Sequence, residues 1–456
     1  MFGGTKATRY MGGALLAACM FAAGSANAAD FSGGCCADLE ERVAELEATT
    51  ARKGNRVVSL QISGTVNEAL MAWDDGVESD AYVVTNTGYQ SRLNFIGTGQ
   101  INPGWKAGFV VTLGIFGSPS FTVDQTNDES VSASTGGRPD EIFIRESKVY
   151  IESERLGRVS LGQQHTASDE ITAINVARSL YVDSSARQVF VGSFRLRAGD
   201  TLTPFRFANL MGSDATNPPG DAARFDVIRY DSPSIAGFKV SASWGEDDMW
   251  DVALRYAGLL GGRFKTAAGI AYGARTDGDF VPGASLDGTA GSNINGCIIV
   301  DEEVDCHQIG MSGSIMDMGT DLFIHAAYGI NTDENKPDDV DDENTFLYVQ
   351  GGIEKKWMPY GATTLFAMYS QFNTGFSNLS IGGGFEGSFE NGEVEMWGLG
   401  INQNFESASL DLYLKYNHYT SSADEVTTNV PLGGGNIGSV DFNEFDVIYA
   451  GARISF

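Results

Sequence analysis

From Arg56 to the carboxyl terminus the side chains keep a period of two through one segment of about ten residues after another, and this repetition constrains the chain more than any other feature. In Val57 to Trp73, for instance, Val58, Leu60, Ile62 and Val66 share one side with Gly64, while Ser59, Gln61, Ser63, Thr65 and Asn67 share the other. One side suits lipid and the other water, which is what a strand crossing a membrane needs. The pattern recurs in Tyr89 to Gly97, Trp105 to Phe116, Phe143 to Glu152, Arg158 to Gln163, Arg224 to Tyr230, Phe238 to Trp244 and Trp250 to Tyr256. It continues in Arg263 to Tyr272, Gln308 to Met316, Asp321 to Ile330, Thr345 to Lys355, Thr363 to Phe372, Val394 to Asn404, Ser409 to His418 and Phe445 to Phe456. The count is sixteen, an even number.

The connections between these segments alternate in length. Gln100 to Gly104, Ser153 to Gly157, Asp231 to Gly237, Gly258 to Gly262, Asp317 to Thr320 and Trp357 to Ala362 are short. Gly117 to Ile142, Ala274 to His307, Asn331 to Asn344, Asn373 to Glu393 and Tyr419 to Asn443 are long, with Glu246 to Met249 an exception. Short turns on one side of a membrane and long loops on the other are the rhythm of an antiparallel transmembrane β-barrel. A soluble β-sandwich does not require it. The expected fold is therefore all-β, a sixteen-stranded barrel over residues 56–456 whose ends both lie on the short-turn side. Phe456 then closes the last strand against the first and leaves no free edge.

The amino terminus explains how such a chain reaches a membrane. Lys6 and Arg9 precede an apolar run from Met11 to Ala23, and small residues follow at Ser25 to Ala28. The run is too short to span a bilayer and ends at a small-residue cleavage site, so residues 1–28 are expected to be a secretory signal peptide. Losing Lys6 and Arg9 from the 30 basic residues leaves 28 against 59 acidic ones, a formal charge of −31 for the mature chain. Such acidity argues against nucleic acid as a partner. No cofactor motif is evident.

Residues 29–55 stand apart. From Asp38 the sequence DLEERVAELEATTAR places Leu39, Val43 and Leu46 on a heptad seam among charges. A helix of barely two heptads is marginal alone, and the segment is expected to be a periplasmic helical element that helps to form a homotrimer, with a plain surface helix as the alternative. Four cysteines survive processing. Cys297 and Cys306, nine positions apart, are candidates for a disulfide clip, whereas the neighbours Cys35 and Cys36 are too close to pair easily with each other.

The longest connection, Gln164 to Ala223, follows the fifth strand and is far longer than an ordinary loop. Ser168, Asp169 and Glu170 resemble a helix start, and Ile171, Ile174, Ala177, Leu180 and Tyr181 supply one apolar side. Packed inside the barrel, this segment would narrow the lumen. The candidate constriction charges are Arg178, Arg187, Arg195, Arg197 and Arg206 with Asp169, Glu170 and Asp183 of the segment, together with Arg92 and Lys106, which alternation puts on the lumen faces of strands two and three. Opposed charges at a narrow place orient dipolar solutes. The competing explanation is that these are solvated or structural loop charges.

Acidity is concentrated instead in connections such as Asn331 to Asn344, where Asp333, Glu334, Asp338, Asp339, Asp341, Asp342 and Glu343 surround Lys336. Carboxylates attract calcium or magnesium, but the run lacks the spacing of an EF-hand, and a solvated loop is the simpler expectation; no metal site is assigned. The histidines, His165, His307, His325 and His418, are scattered and have no GxSxG or HExxH setting, so no enzyme is expected.

The segment Cys35-Cys36-Ala37-Asp38-Leu39-Glu40-Glu41-Arg42-Val43-Ala44-Glu45-Leu46-Glu47, followed by Ala51 to Arg56, carries a family likeness. So do Val58-Ser59-Leu60, Val66-Asn67-Glu68-Ala69, Gly157-Arg158-Val159-Ser160-Leu161-Gly162-Gln163, Arg229-Tyr230-Asp231-Ser232-Pro233 and the terminal Phe456. In these the chain resembles alphaproteobacterial general porins over nearly its whole mature length. The resemblance implies a trimeric outer-membrane barrel that passes small hydrophilic solutes and ions by passive diffusion, with a loop folded into the pore. It also implies contact with outer-membrane lipid and lipopolysaccharide, and a terminal Phe456 read by the barrel assembly machinery. A substrate-selective or loop-gated channel is the alternative. The departures are the size of the Gln164 to Ala223 insertion and the cysteine-bearing Ala274 to His307 connection.

Overall fold

A computed structural model describes residues 58–128, 141–186, 188–212, 217–245, 248–276, 305–334, 336, 338–378, 387–428 and 435–456. The strands in order are β1 (Val58–Asp74), β2 (Ser79–Thr85), β3 (Arg92–Asn102), β4 (Trp105–Phe116), β5 (Glu141–Ser153), β6 (Gly157–His165), β7 (Arg195–Ala198), β8 (Thr201–Arg206), β9 (Arg224–Asp231) and β10 (Phe238–Gly245). They continue as β11 (Trp250–Leu260), β12 (Phe264–Arg275), β13 (Cys306–Asp317), β14 (Leu322–Asp333), β15 (Glu343–Met358), β16 (Gly361–Asn378), β17 (Gly387–Phe405), β18 (Leu410–Thr428), β19 (Gly435–Asp441) and β20 (Phe445–Ser455).

All pairings in the main sheet are antiparallel between neighbours, and the ring closes where β20 pairs with both β18 and β1. β2 and β3 are successive stretches along the same partner, β1, so together they form one barrel strand. β19 and β20 do the same along β18. With β7 and β8 forming a separate hairpin, the barrel has sixteen strands. Phe456 completes the closure by exchanging backbone hydrogen bonds with Gly64, at 2.9 and 3.1 Å. Position 64 has to be glycine because a Cβ there would meet the Phe456 ring at 2.6 Å and the Arg92 carbonyl at 2.8 Å.

Alternation sets the two faces. Val58, Ile62, Val66 and Leu70 of β1 point outward and are exposed, whereas Asn67, Ala69, Met71 and Trp73 point inward and are buried. A closed sheet satisfies all its backbone donors and acceptors within the ring, which is why it can face lipid at all. None of the described helices is long and apolar enough to cross a membrane.

Three features differ from the sequence expectation. Ser79–Thr85 pairs with β1, although only Tyr89 to Gly97 was expected to be strand there. β16, β17 and β18 run for 18, 19 and 19 residues, well past the roughly 9–11 that a crossing needs. Much of the connections expected over Asn373 to Glu393 and Tyr419 to Asn443 is therefore hairpin rather than loop.

The third difference concerns the segment between β6 and β9, which lies inside the barrel. No α-helix starts at Ser168; from there to Tyr181 the chain makes short 3-10 turns at Ile171–Ala173 and Arg178–Tyr181, and the four-residue α-helices Gln188–Val191 and Phe207–Leu210 come later. The wall takes the hydrogen bonds that a helix would have used. Asp251 of β11 accepts from the Ala167 and Ser168 amides at 3.1 and 2.7 Å, and Ser312 of β13 donates to the Ile171 carbonyl at 2.5 Å. The Ile174 and Val176 amides donate to Ser312 and Ser314 at 3.3 Å each. A segment whose backbone is satisfied by side chains around it gains nothing by coiling.

Further along, this insert is held by apolar contacts. Phe190, Phe194, Phe205, Phe207, Leu210 and Met211 are buried together with Phe346, Tyr348, Phe372, Phe389, Tyr419, Phe445 and Tyr449 of β15 to β20. Ring centroids lie 4.9 Å apart for Phe194 and Phe445, 5.6 Å for Phe207 and Tyr419 and 5.7 Å for Phe190 and Tyr449. Full burial of each such ring is worth about 1.5–3 kcal/mol. The insert thus fills the side of the lumen bounded by β15 to β20 and leaves open the side bounded by β3 to β6 and β9 to β11.

Candidate pore constriction

The open side is a cavity of about 760 Å³ between the insert and the wall. Its lining holds eight cationic side chains, Arg92, Arg145, Lys148, Arg158, Arg224, Arg229, Lys239 and Arg255, against four carboxylates, Asp169, Glu170, Asp221 and Asp231. All eight cations come from strands β3, β5, β6, β9, β10 and β11, while Asp169, Glu170 and Asp221 come from the insert. The field inside the lumen therefore runs from a basic wall to an acidic ledge, in a chain whose formal net charge is −29.

Strand parity puts most of the wall in place. Val149 and Ile151, Val159 and Leu161, Ile228 and Tyr230, Phe238 and Val240, and Val252 and Leu254 are exposed on the outer face. The opposite parity carries Lys148, Arg158, Arg229, Lys239 and Arg255 into the lumen. Arg145 is there for another reason: between Thr112 and Leu113 of β4 the register shifts, so that Glu146 faces Thr112 while Ile144 faces Leu113. The unpaired residue is Arg145, and this bulge turns inward a side chain that strict alternation would assign otherwise. Arg224 begins β9 on the parity of Ile228 and still reaches the cavity, 3.9 Å from Asp169.

The wall cations divide into those that hold structure and those that face the opening. Arg229 donates to the His165 and Thr166 carbonyls at 2.9 and 2.7 Å and pairs with Asp231 at 2.9 Å. Arg255 donates to the Ala167 and Asp169 carbonyls at 2.7 and 2.9 Å. Together they clasp the root of the insert. Lys148 and Arg158 pair with Glu146 and Glu152 at 2.7 and 2.5 Å. Arg92 lies over the Tyr89 ring at 4.4 Å, and Arg145 donates to the Gln90 side chain.

On the ledge, Glu170 sits in the left-handed region at φ 59° with its side chain exposed into the cavity. Asp169 bonds to His165 Nδ1 at 2.7 Å. Burial pushes the Asp169 carboxyl up, but His165, Arg224 and Arg145 outweigh it and hold it below the usual carboxylate range. Burial, reinforced by the Asp169 charge, pushes Asp221 well above that range. Asp221 accepts from the Ile171 amide at 3.0 Å and lies 2.7 Å from the Thr172 hydroxyl.

Of the charges selected from sequence, Arg92, Asp169 and Glu170 line the cavity. The others lie elsewhere. Lys106 stands opposite Glu152 near the β3–β4 turn. Arg178 is anchored to Glu354 through its amide at 2.6 Å. Asp183 forms a fully buried pair with Lys415 at 3.1 Å and accepts from Tyr348 Oη at 2.7 Å. Arg197 reaches Asp75 and Glu78 at 2.8 Å each, and Arg206 reaches Asp124 at 3.0 Å. Arg195 adjoins this cluster, with its amide bonded to Gln125 at 3.0 Å. Arg187 lies outside the described residues, as does Cys297; Cys306 is disulfide-bonded.

A family profile described as Gram-negative porin matches residues 14–424. The chain belongs to the Gram-negative porin family. It is an outer-membrane protein that forms a channel for passive diffusion of small hydrophilic solutes and ions, and the alphaproteobacterial resemblance lies within this family. Among solved structures, the anion-selective porin from Comamonas acidovorans shares the fold with a TM-score of 0.52 and 15% identity, over 88% of this chain and all of that one. The loop L8 deletion mutant of OmpT, an outer membrane protein of Vibrio cholerae, gives a TM-score of 0.50 and 15% identity over the same share of this chain and 100% of that one. No curated protein matches by sequence.

Proposed function

We propose that this porin favours anions and small solutes that bear negative charge. The observation that carries the reading is the lining of the cavity, eight cations on six strands against four carboxylates. Arg92, Arg145 and Arg224 count most, because none has a carboxylate oxygen closer than 3.9 Å among the described residues. The acidic ledge opposite adds a transverse field that orients a dipolar solute as it passes. The His165–Asp169 pair, at 2.7 Å, fixes the ledge in this reading.

A channel gated by its own insert is disfavoured by the apolar packing of Phe190 to Met211 and by the buried Asp183–Lys415 pair. The functional unit is a homotrimer, supported by the heptad seam within residues 29–55, with residues 1–28 removed on export. Phe456, 65% exposed on the outer face, is available to the barrel assembly machinery, and the outward residues meet outer-membrane lipid and lipopolysaccharide.

Single-channel recording in planar bilayers under a potassium chloride gradient tests both parts. Three equal conductance steps are expected, with a reversal potential of the sign set by chloride. Arg145→Ala combined with Arg224→Ala moves that potential toward zero or past it. A wild-type potential of the cation sign would overturn the reading.

A further inference from the structure

We infer that Asp305, His307 and Glu334 form a binding site for a divalent transition-metal ion of the zinc type, on the outer wall of the barrel at the end that carries the long connections. The ligand atoms of the three side chains all lie within 4.8 Å of one another. His307 shares the outward parity of Ile309 and Met311, which are exposed, and Asp305 precedes it by two residues. Cys306 pairs with Asp333 in the β13–β14 ladder, and the Glu334 amide donates to the Asp305 carbonyl at 3.0 Å. Asp305 and Glu334 are therefore opposed across two strands.

Like charges directly opposite one another are unfavourable. His307 Nε2 lies 3.1 Å from Asp305, but one imidazole supplies at most one positive charge for two carboxylates. The imidazole is also oriented as a ligand should be. Its Nδ1 is 2.9 Å from Tyr272 Oη, and when Nδ1 donates that hydrogen bond, the Nε2 lone pair faces the carboxylates. Tyr272 in turn stacks on His307 and packs against Trp250, with centroids 6.2 and 5.5 Å away. A hydrogen-bond partner on the far ring nitrogen, here the Tyr272 hydroxyl, that fixes the tautomer in this way is characteristic of metal-bound histidine.

One imidazole and two carboxylates suit zinc, with an open position for water, better than calcium or magnesium, which take six or more oxygens or keep their own waters. The three residues stand on or beside rigid strands, and Cys306 between two of them is disulfide-bonded. The site lies outside the pore, so it is independent of the anion preference.

Calorimetric titration of the full barrel in detergent with zinc chloride, in a Cys35→Ser, Cys36→Ser background that removes competing thiols, tests the site. One saturable zinc per chain is expected, with no comparable binding of magnesium. His307→Ala abolishes it, and Tyr272→Phe weakens it roughly 10-fold or more while leaving conductance intact. Glu334→Gln, an exposed change that keeps the hydrogen-bonding shape, weakens it as well. Absence of saturable binding, or an affinity unchanged by His307→Ala and Glu334→Gln, would overturn the assignment.

Discussion

Two buried carboxylates of the ledge are shifted in opposite directions. Asp169 has His165 and the guanidinium groups of Arg224 and Arg145 near it, so it stays ionised into acid solution. Burial and then the Asp169 charge raise Asp221, against the Ile171 amide and the Thr172 hydroxyl that donate to it, so it holds its proton above the usual range. Over the pH interval in which Asp169 is ionised and Asp221 is not, the pair contributes one negative charge rather than two. Within that interval Asp221→Asn exchanges one neutral group for another and leaves the reversal potential almost unchanged. Asp169→Asn removes a charge and releases Arg224, and the channel becomes more anion-selective. Equal shifts from the two substitutions would show that both carboxylates are ionised.

At the scale of elements, what matters is how firmly the insert is attached. Lys415 of β18 and Asp183 of the insert are 3.1 Å apart and both 0% exposed, and the Lys415 ammonium lies 3.0 Å from the Phe190 ring centroid. Removing one partner of such a pair leaves a charge without compensation and costs roughly 3–5 kcal/mol, whereas removing both costs far less. Lys415→Met should accordingly lower the urea midpoint of the barrel in lipid vesicles, and adding Asp183→Asn should restore most of it. A single substitution without effect would mean that apolar packing alone retains the insert. The attachment also marks where sequence reasoning stops. Alternation made the strands legible, most of them to within a few residues, because each lipid-facing position must be apolar and each crossing has a minimum length. It did not reveal that Ser168 would bond to Asp251 instead of capping a helix, since that depends on a residue of a distant strand. Nor did it reveal the bulge at Arg145, since a bulge breaks the periodicity on which the reading depends. Lys148, Arg158, Lys239 and Arg255 were within reach of parity, but the charges of the long insert drew the assignment away from the wall.

For the whole molecule, the distribution of charge matters more than its sum. The formal −29 is not shared by the cavity, whose lining holds eight cations against four carboxylates, and a dense share of it lies in the connection between β14 and β15, where Asp338, Asp339, Asp341 and Asp342 stand. Lys336 ties that connection down by donating to the Asp341 carbonyl, the Asn344 side chain and the Gly375 carbonyl at 2.8, 2.7 and 3.0 Å. An ion at the constriction passes close to Arg92, Arg145 and Arg224, with little electrolyte between. It feels the connection only through solution, where the Debye length is about 10 Å in 0.1 M salt and about 3 Å in 1 M. The two sets of charges therefore differ in their sensitivity to salt. Replacing Asp338, Asp339, Asp341 and Asp342 by asparagine should move the reversal potential toward stronger anion preference when the mean salt is near 0.1 M, and hardly at all near 1 M. Replacing Arg145 and Arg224 by alanine should move it in the opposite direction at both concentrations. If the asparagine variant had its full effect in 1 M salt, the connection would have to reach the ion path itself, and selectivity would belong to the mouth of the channel rather than to its constriction.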